Sequence, residues 1–240
     1  MSMNDENALM QLDIDIDTTL HSGKRSFRLR VQFASSSRRI VILGPSGAGK
    51  SLTLKAIAGL TTPACGHVKL AGRTLFDAAA GINLTPQQRN VAYLFQDYAL
   101  FPHLTVRQNV GFALARGWRN PGLEHAYAAV DYWLQQFDLQ HLAQQFPDQI
   151  SGGQRQRTAL ARALAAQPGA LLLDEPFAAL DRALRVTLRR ELDQLQHRLA
   201  LPMILITHDP DDASWFGGHV LNLRDGQRDA CELNAHQDRR

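Results

Sequence analysis

Apolar and polar positions alternate over the first part of the chain. Leu12, Ile14 and Ile16 are interleaved with Asp13, Asp15 and Asp17, and Phe27, Leu29, Val31 and Phe33 with Arg28, Arg30 and Gln32. A period of two puts one set of side chains on each face of a strand. Both stretches therefore predict half-buried antiparallel strands, with Ser22-Gly23 in the turn region. At Arg39 the pattern changes. Ile40-Val41-Ile42-Leu43 is an unbroken apolar run, as expected of a strand covered on both faces. A glycine-rich loop and a helical stretch over 50–59 follow. The apolar run at 170–173, a helix over 182–200 and a further run at 203–206 repeat the theme, and this alternation predicts an α/β fold with a mainly parallel core sheet. Residues 97–167 break the rhythm and read as an inserted helical subdomain, with 118–122 as a loop. From Asp225-Gly226 the chain reads as a turn and then a frayed polar tail. The expected organisation is one domain over 1–240: core and N-terminal antiparallel β subdomain at 10–96 and 168–225, helical subdomain at 97–167, tail at 226–240.

Composition narrows the class. Of 240 residues, 45% are apolar and 20% charged, which excludes a disordered chain, a collagen or a coiled-coil rod. Apolar runs such as Ala170-Leu171-Leu172-Leu173 fall far short of the ~20 residues that span a bilayer. The opening MSMNDENALMQ has no basic-then-apolar order, so no signal peptide is expected. Cys65 and Cys231 form no ligand pattern and suggest a reducing compartment. The net charge of +3, from 26 basic and 23 acidic residues, is too small an excess to point to nucleic acid. Arg182, Arg185, Arg189 and Arg190 are expected to form a solvated helix face with Asp181, Glu191 and Asp193.

Three segments carry chemistry. Gly44-Pro45-Ser46-Gly47-Ala48-Gly49-Lys50-Ser51 fits G-x-x-x-x-G-K-[ST] between a buried strand and a helix. Glycines let backbone N–H groups wrap a phosphate, the helix N-terminus favours the anion, Lys50 adds a charge, and the Ser51 hydroxyl can ligate Mg²⁺. Leu171-Leu172-Leu173-Asp174-Glu175 is an apolar strand ending in two carboxylates. Beside a phosphate loop, Asp174 suits a Mg²⁺ site and Glu175 a base for an attacking water. Ser151-Gly152-Gly153-Gln154-Arg155-Gln156-Arg157 opens a helix 23 residues before Asp174, and its N–H groups and hydroxyl form a second anion-type loop.

With these segments the chain, over essentially all of residues 10–225, resembles the ATP-binding subunit of an ABC transporter. The resemblance implies an ATPase that binds ATP and Mg²⁺. It implies ATP contacts from Gly44, Pro45, Ser46, Gly47, Ala48, Gly49, Lys50 and Ser51, from Ser151, Gly152, Gly153 and Gln154, which would close over the partner subunit's nucleotide, and from Asp181. Ile150 stands where Leu is usual. It implies a Mg²⁺ site from Ser51, Gln96 and Asp174, and catalytic roles for Glu175, Gln96 (in Leu94-Phe95-Gln96-Asp97) and His208 (in Ile206-Thr207-His208-Asp209). Ala179-Leu180-Asp181 matches the loop that crosses the dimer interface. Such subunits usually stack adenine on an aromatic residue about two dozen positions before the phosphate loop. Counting back lands near His21, and the nearest aromatic, Phe27, fits the apolar strand face.

Leu75-Phe76-Asp77 through Thr85-Pro86 and Arg89-Asn90-Val91-Ala92-Tyr93-Leu94-Phe95-Gln96-Asp97 resemble the molybdate-import subfamily. Leu100-Phe101-Pro102-His103-Leu104-Thr105-Val106 is similar to importers of sulfate, iron, thiamine and polyamines as well. That subfamily usually carries a C-terminal β-rich regulatory domain, which this sequence is expected to lack. The implied partners are a second copy of the chain on ATP binding, integral membrane permease subunits and, indirectly, a periplasmic or extracellular solute-binding protein, with no nucleic acid. The implied location is the cytoplasmic face of the inner membrane, as a peripheral subunit. Tyr98, Leu100 and Phe101 are expected as partly exposed permease-docking residues.

Overall fold

A computed structural model describes residues 11–23, 25–114, 128–178 and 180–229. In chain order the first elements are β1 (Leu12–Ser22), β2 (Arg25–Ser35), β3 (Arg39–Leu43), α1 (Lys50–Ala58), β4 (Cys65–Leu70), β5 (Arg73–Asp77), β6 (Ile82–Asn83), α2 (Pro86–Arg89) and β7 (Val91–Leu94). They are followed by α3 (Val106–Gly111), α4 (Ala128–Gln136), α5 (Gly152–Ala165), β8 (Ala170–Asp174), α6 (Arg182–Leu199), β9 (Met203–Thr207), α7 (Pro210–Phe216), β10 (His219–Arg224) and β11 (Gln227–Arg228). The chain divides into two compact units, residues 1–89 with 202–240 and residues 90–201. The expected loop at 118–122, Lys24, Ala179, Cys231 and the tail over 230–240 lie outside the described residues.

In the first unit the strands run in the order β6-β5-β4-β1-β2-β11-β10-β3-β9. The alternating stretches pair antiparallel as β1 and β2, with Ile14 opposite Phe33 and Ile16 opposite Val31. One face is buried (Leu12, Ile14, Ile16, Leu29, Val31) and the other carries the charges, as a period of two requires. β3 lies parallel between β10 and β9, and its run Ile40-Val41-Ile42 is buried. α1 packs on β9, and its Leu54 and Ile57 are fully buried. Strands β4 to β6 carry no clear sequence signal. A register shift between Val68 and Lys69 interrupts the two-residue period in the β4–β5 pair, and β6 is two residues long. The start of the segment expected as a polar tail is ordered. Gln227–Arg228 form β11, paired to β10 and β2, because the Asp225-Gly226 turn folds the chain back.

Arg89 closes the far end of α1. It is 2% exposed. Its Nη1 donates to Ala56 O (2.7 Å) and Ile57 O (2.8 Å), its Nε to Leu84 O (2.9 Å) and its Nη2 to Asn83 Oδ1 (3.0 Å). The last carbonyls of a helix lack intrahelical partners and carry partial negative charge, so a cation there satisfies both needs. Burial holds the guanidinium below its ordinary pKa. Arg89→Met is expected to leave these acceptors unsatisfied and to cost about 3 kcal/mol. Urea unfolding should show this as a lower midpoint at unchanged slope, and an unchanged midpoint would refute it.

In the second unit β7 runs parallel to β8, with Leu94 beside Leu173. Among the described residues of the stretch at 97–167, α5 packs against both α3 and α4. Leu188, Leu192 and Leu195 form the buried stripe of α6. Arg189 departs from the expected solvated face. It is 7% exposed, with its guanidinium 6.0 Å from the Phe177 ring centroid, because its position adjoins the apolar stripe and its stem is covered. Among the described residues no helix is long and apolar enough to cross a membrane.

Candidate functional site

In the first unit the chain leaves β3 at Leu43 and enters the glycine-rich loop. A Cβ on Gly44 would overlap the carbonyl oxygen of Leu223 on β10, so only glycine fits there. Gly47 and Gly49 adopt left-handed backbone (φ 83° and 99°), and Gly49 is the N-cap of α1. Lys50 is 4% exposed. Its ammonium donates to Gly44 O (2.8 Å) and Pro45 O (3.0 Å), so the loop is curled around its own cation. Thr53 Oγ1 donates to Gly49 O (3.1 Å), and Gly226 N–H to Ala48 O (3.0 Å), which ties the β10–β11 turn to the loop. Pro45, Ser46 and Gly47 remain exposed, Ser51 is half-buried, and no acidic residue stands in the first turn of α1. The result is a preformed, positively biased cradle for an anion.

His208 follows β9 and is exposed. It lines a cavity of about 330 Å³ together with Gly44, Pro45, Pro210, Leu223 and Arg224. The fold thus brings His208 and the start of the phosphate loop to one cavity. Behind it, Thr207 Oγ1 donates to Asp212 Oδ2 (2.6 Å) and accepts from Asp209 N–H (3.0 Å), which anchors the turn that carries the histidine. His21 is exposed on β1. Phe27 is half-buried, and its ring edge lies 3.2 Å from where a Cβ on Gly49 or Gly226 would stand. It packs beside the phosphate loop.

In the second unit β8 ends in Asp174, which is 6% exposed. The Tyr93 hydroxyl, from β7, donates to Asp174 Oδ2 at 2.7 Å. Burial, reinforced by this carboxylate, raises the Tyr93 pKa above the ordinary phenol range, so the hydroxyl stays a donor. Glu175 turns out of the strand with φ 45°, a left-handed conformation that costs free energy in a residue bearing a side chain. β7 and β8 are parallel neighbours, so Gln96 and Glu175 leave the same edge of the pair; Gln96 is exposed.

Beyond Gln96 the backbone is left-handed at two successive residues, Tyr98 (φ 63°) and Ala99 (φ 43°). Arg162 of α5 donates to both carbonyls (Tyr98 O 2.8 Å, Ala99 O 2.7 Å) and lies 5.7 Å from the centroid of Phe101. Buried Asn109 accepts from Phe101 N–H (2.9 Å) and donates to Leu104 O (2.9 Å). The loop is therefore rigidly built. Tyr98 is buried at 6% exposure, which corrects its expected place on a docking surface: the left-handed turn points it inward. Leu100 and Phe101 are half-buried, and Phe112, which the sequence reading missed, is exposed and stacks on Phe101 at 4.2 Å. No local pattern marks Phe112, since only the fold brings it beside Phe101.

The second glycine segment is an N-terminal cap. Ser151 Oγ accepts from Gln154 N–H (3.3 Å), and Gln154 Oε1 from Ser151 N–H (2.8 Å). A Cβ on Gly153 would stand 3.0 Å from Leu184 Cδ1 of α6, a tight approach that the leucine side chain would have to relieve. Gly152 has no such neighbour, and Ser151 is exposed. Asp181 caps α6, its Oδ1 accepting from Leu184 N–H at 3.0 Å.

A family model described as "ABC transporter" matches residues 30–178. The chain is 43% identical over 202 residues, 83% of its length, to the molybdenum import ATP-binding protein ModC of Mycobacterium tuberculosis, of which it covers 55%. It is 39% identical over 216 residues, 87% of its length, to an Fe(3+) ions import ATP-binding protein of Pectobacterium atrosepticum, of which it covers 60%. The chain thus spans little more than half the length of these curated relatives. Among solved structures it is similar to an ATP-binding cassette in a dimeric post-hydrolysis state bound to ADP and Pi, with TM-score 0.75 and 29% identity, over 91% of this chain and 96% of that one.

Proposed function

This chain belongs to the ABC transporter family, and from that premise we propose that it is the ATP-hydrolysing subunit of an importer, acting as a dimer at the cytoplasmic face of the inner membrane beneath permease subunits. The observation that carries the reading is the loop at 44–51, already curled by Lys50 into an anion cradle and sharing a cavity with His208. ATP would lie with its phosphates on residues 44–51 of one chain and under residues 151–154 of the other. The exposed Ser151 and the unobstructed Gly152 support that second contact, as does the dimeric cassette among the similar structures.

The Ser51 hydroxyl, the Gln96 amide and the Asp174 carboxylate are each oxygen donors, the hard ligand type that Mg²⁺ prefers, and in this reading they would hold the ion. Bound there with the nucleotide, Mg²⁺ would neutralise phosphate charge. Lys50 and the N–H groups at 44–51 bind and orient the phosphates. In this reading Glu175 would accept a proton from the attacking water, and the Gln96 amide and the His208 imidazole are groups whose hydrogen bonding could orient it. Asp181 supports the dimer contact by fixing the start of α6. Leu100 and Phe101, with Phe112 packed on the Phe101 ring, would offer an apolar surface to the permease.

The proposed solute is molybdate or a related oxyanion, delivered by a periplasmic or extracellular binding protein. The 43% identity to a molybdenum importer supports it. The 39% identity to an iron importer supports a metal-cation importer as the second reading. Phosphate release from Mg²⁺–ATP by the purified chain tests the activity, and no release above a protein-free blank would refute it. Co-purification with the permease, then addition of binding protein loaded with molybdate, sulfate or Fe³⁺, tests the solute. Stimulation by the molybdate-loaded protein alone is expected; stimulation by the Fe³⁺-loaded protein alone would overturn the oxyanion reading.

A further inference from the structure

A buried carboxylate is oriented by whatever hydrogen bonds reach it. For Asp174 one such bond comes from the neighbouring strand. Tyr93 pairs with Leu172 across β7 and β8. Side chains two residues apart share a face, so Asp174 is the diagonal neighbour of Tyr93. A tyrosine is long enough to reach across that diagonal, as the hydrogen bond shows, and a short hydroxyl residue is not. The ring is itself braced, because Phe95, two residues on along β7, packs on it with centroids 4.5 Å apart at 45°. The hydroxyl then meets Asp174 Oδ2 at 2.7 Å.

We propose that Tyr93 is a positioning residue for the metal site: its hydroxyl fixes one oxygen of Asp174, so that the carboxylate meets Mg²⁺–ATP already oriented. Hydrogen bonds to ligating carboxylates act in this way, and their loss typically weakens metal affinity 10- to 100-fold. The inference rests on the reading of Asp174 as a metal ligand. It gives Tyr93, three residues before Gln96, a role that the motif at 44–51 and the acids at 174–175 do not reveal.

The test is Mn²⁺ binding to the full chain in the presence of a non-hydrolysable ATP analogue, with free Mn²⁺ read by electron paramagnetic resonance. Tyr93→Phe keeps the ring and its contact with Phe95 and removes only the hydroxyl. Mn²⁺ affinity is expected to fall about tenfold, while analogue affinity in EDTA stays at the wild-type value. A purely structural role would lower the melting temperature and leave the Mn²⁺ affinity where it was; Mn²⁺ affinity within twofold of wild type overturns the proposal. Phe95→Leu, which loosens the ring and keeps the hydroxyl, should shift Mn²⁺ affinity in the same direction by less and provides a second route if Tyr93→Phe does not fold. Asp174→Asn separates the two levels. If it also leaves Mn²⁺ affinity unchanged, the metal-ligand reading of Asp174 fails, and the role of Tyr93 fails with it. If it abolishes binding while Tyr93→Phe has no effect, only the role of Tyr93 fails.

Discussion

Lys50→Ala is expected to abolish ATP hydrolysis and to disorganise the phosphate loop before any nucleotide arrives. Two losses coincide. One positive charge aimed at the phosphates disappears from a site where a single preorganised donor is worth roughly 10²–10³ in turnover. The carbonyls of Gly44 and Pro45 also lose the ammonium that holds them at 2.8 and 3.0 Å. With those two acceptors released, the N–H groups of the loop no longer converge. Nucleotide affinity should therefore fall together with turnover. Phosphate-release kinetics and nucleotide titration check both, and equal ATPase rates in mutant and wild type would sink the phosphate-loop assignment.

Glu175→Gln is expected to separate binding from chemistry. The amide keeps the shape of the side chain and can hydrogen-bond, but it does not take a proton from water as a carboxylate does, and general-base catalysis is worth roughly 10²–10⁴ in rate. If Glu175 lies beside the γ-phosphate as proposed, the change also removes a negative charge there. ATP should then bind, draw two chains together through residues 151–154 and remain bound. The expected readout is an ATP-dependent shift from monomer to dimer in size-exclusion chromatography, with turnover reduced by orders of magnitude. Adding Ser151→Arg should abolish the shift by blocking the partner's phosphate. Because Ser151 caps α5, that change also costs about 1 kcal/mol of stability, so the double mutant must first be shown to unfold cooperatively. Wild-type hydrolysis by Glu175→Gln would remove Glu175 from the catalytic role. A dimer that survives Ser151→Arg would undo the shared-site model.

Much of this architecture was legible in the chain. The alternation at 12–17 and 27–33, the apolar run at 40–43 and the glycines at 44–49 each impose a local geometry, and the strands and loop formed where those patterns stand. The limits have physical causes. Strands β4 to β6 are short or bulged, so no period accumulates. Arg189, expected on a solvated face, is buried because it adjoins an apolar stripe, and no sequence signal marks Arg89, which is buried because a helix ends beside it. Tyr98 looks like an exposed aromatic and is turned inward by left-handed backbone. The Tyr93–Asp174 bond joins residues 81 apart in the chain and depends on the register of two parallel strands, which no single-strand pattern encodes.

The left-handed pair at Tyr98 and Ala99 has a consequence in time. Such backbone costs about 1–2 kcal/mol per residue bearing a side chain, and the group that holds both carbonyls belongs to Arg162, 63 residues later than Ala99. During synthesis at about 5–20 residues per second, that interval lasts roughly 3–13 s. Until α5 has been made and has docked, the Leu100–Phe101–Phe112 surface lacks the clamp that shapes it. A nascent or truncated chain that ends before α5 therefore lacks the two hydrogen bonds that hold this left-handed turn, and the loop takes its final shape only once the Ser151–Gln154 segment and the helix behind it have been made.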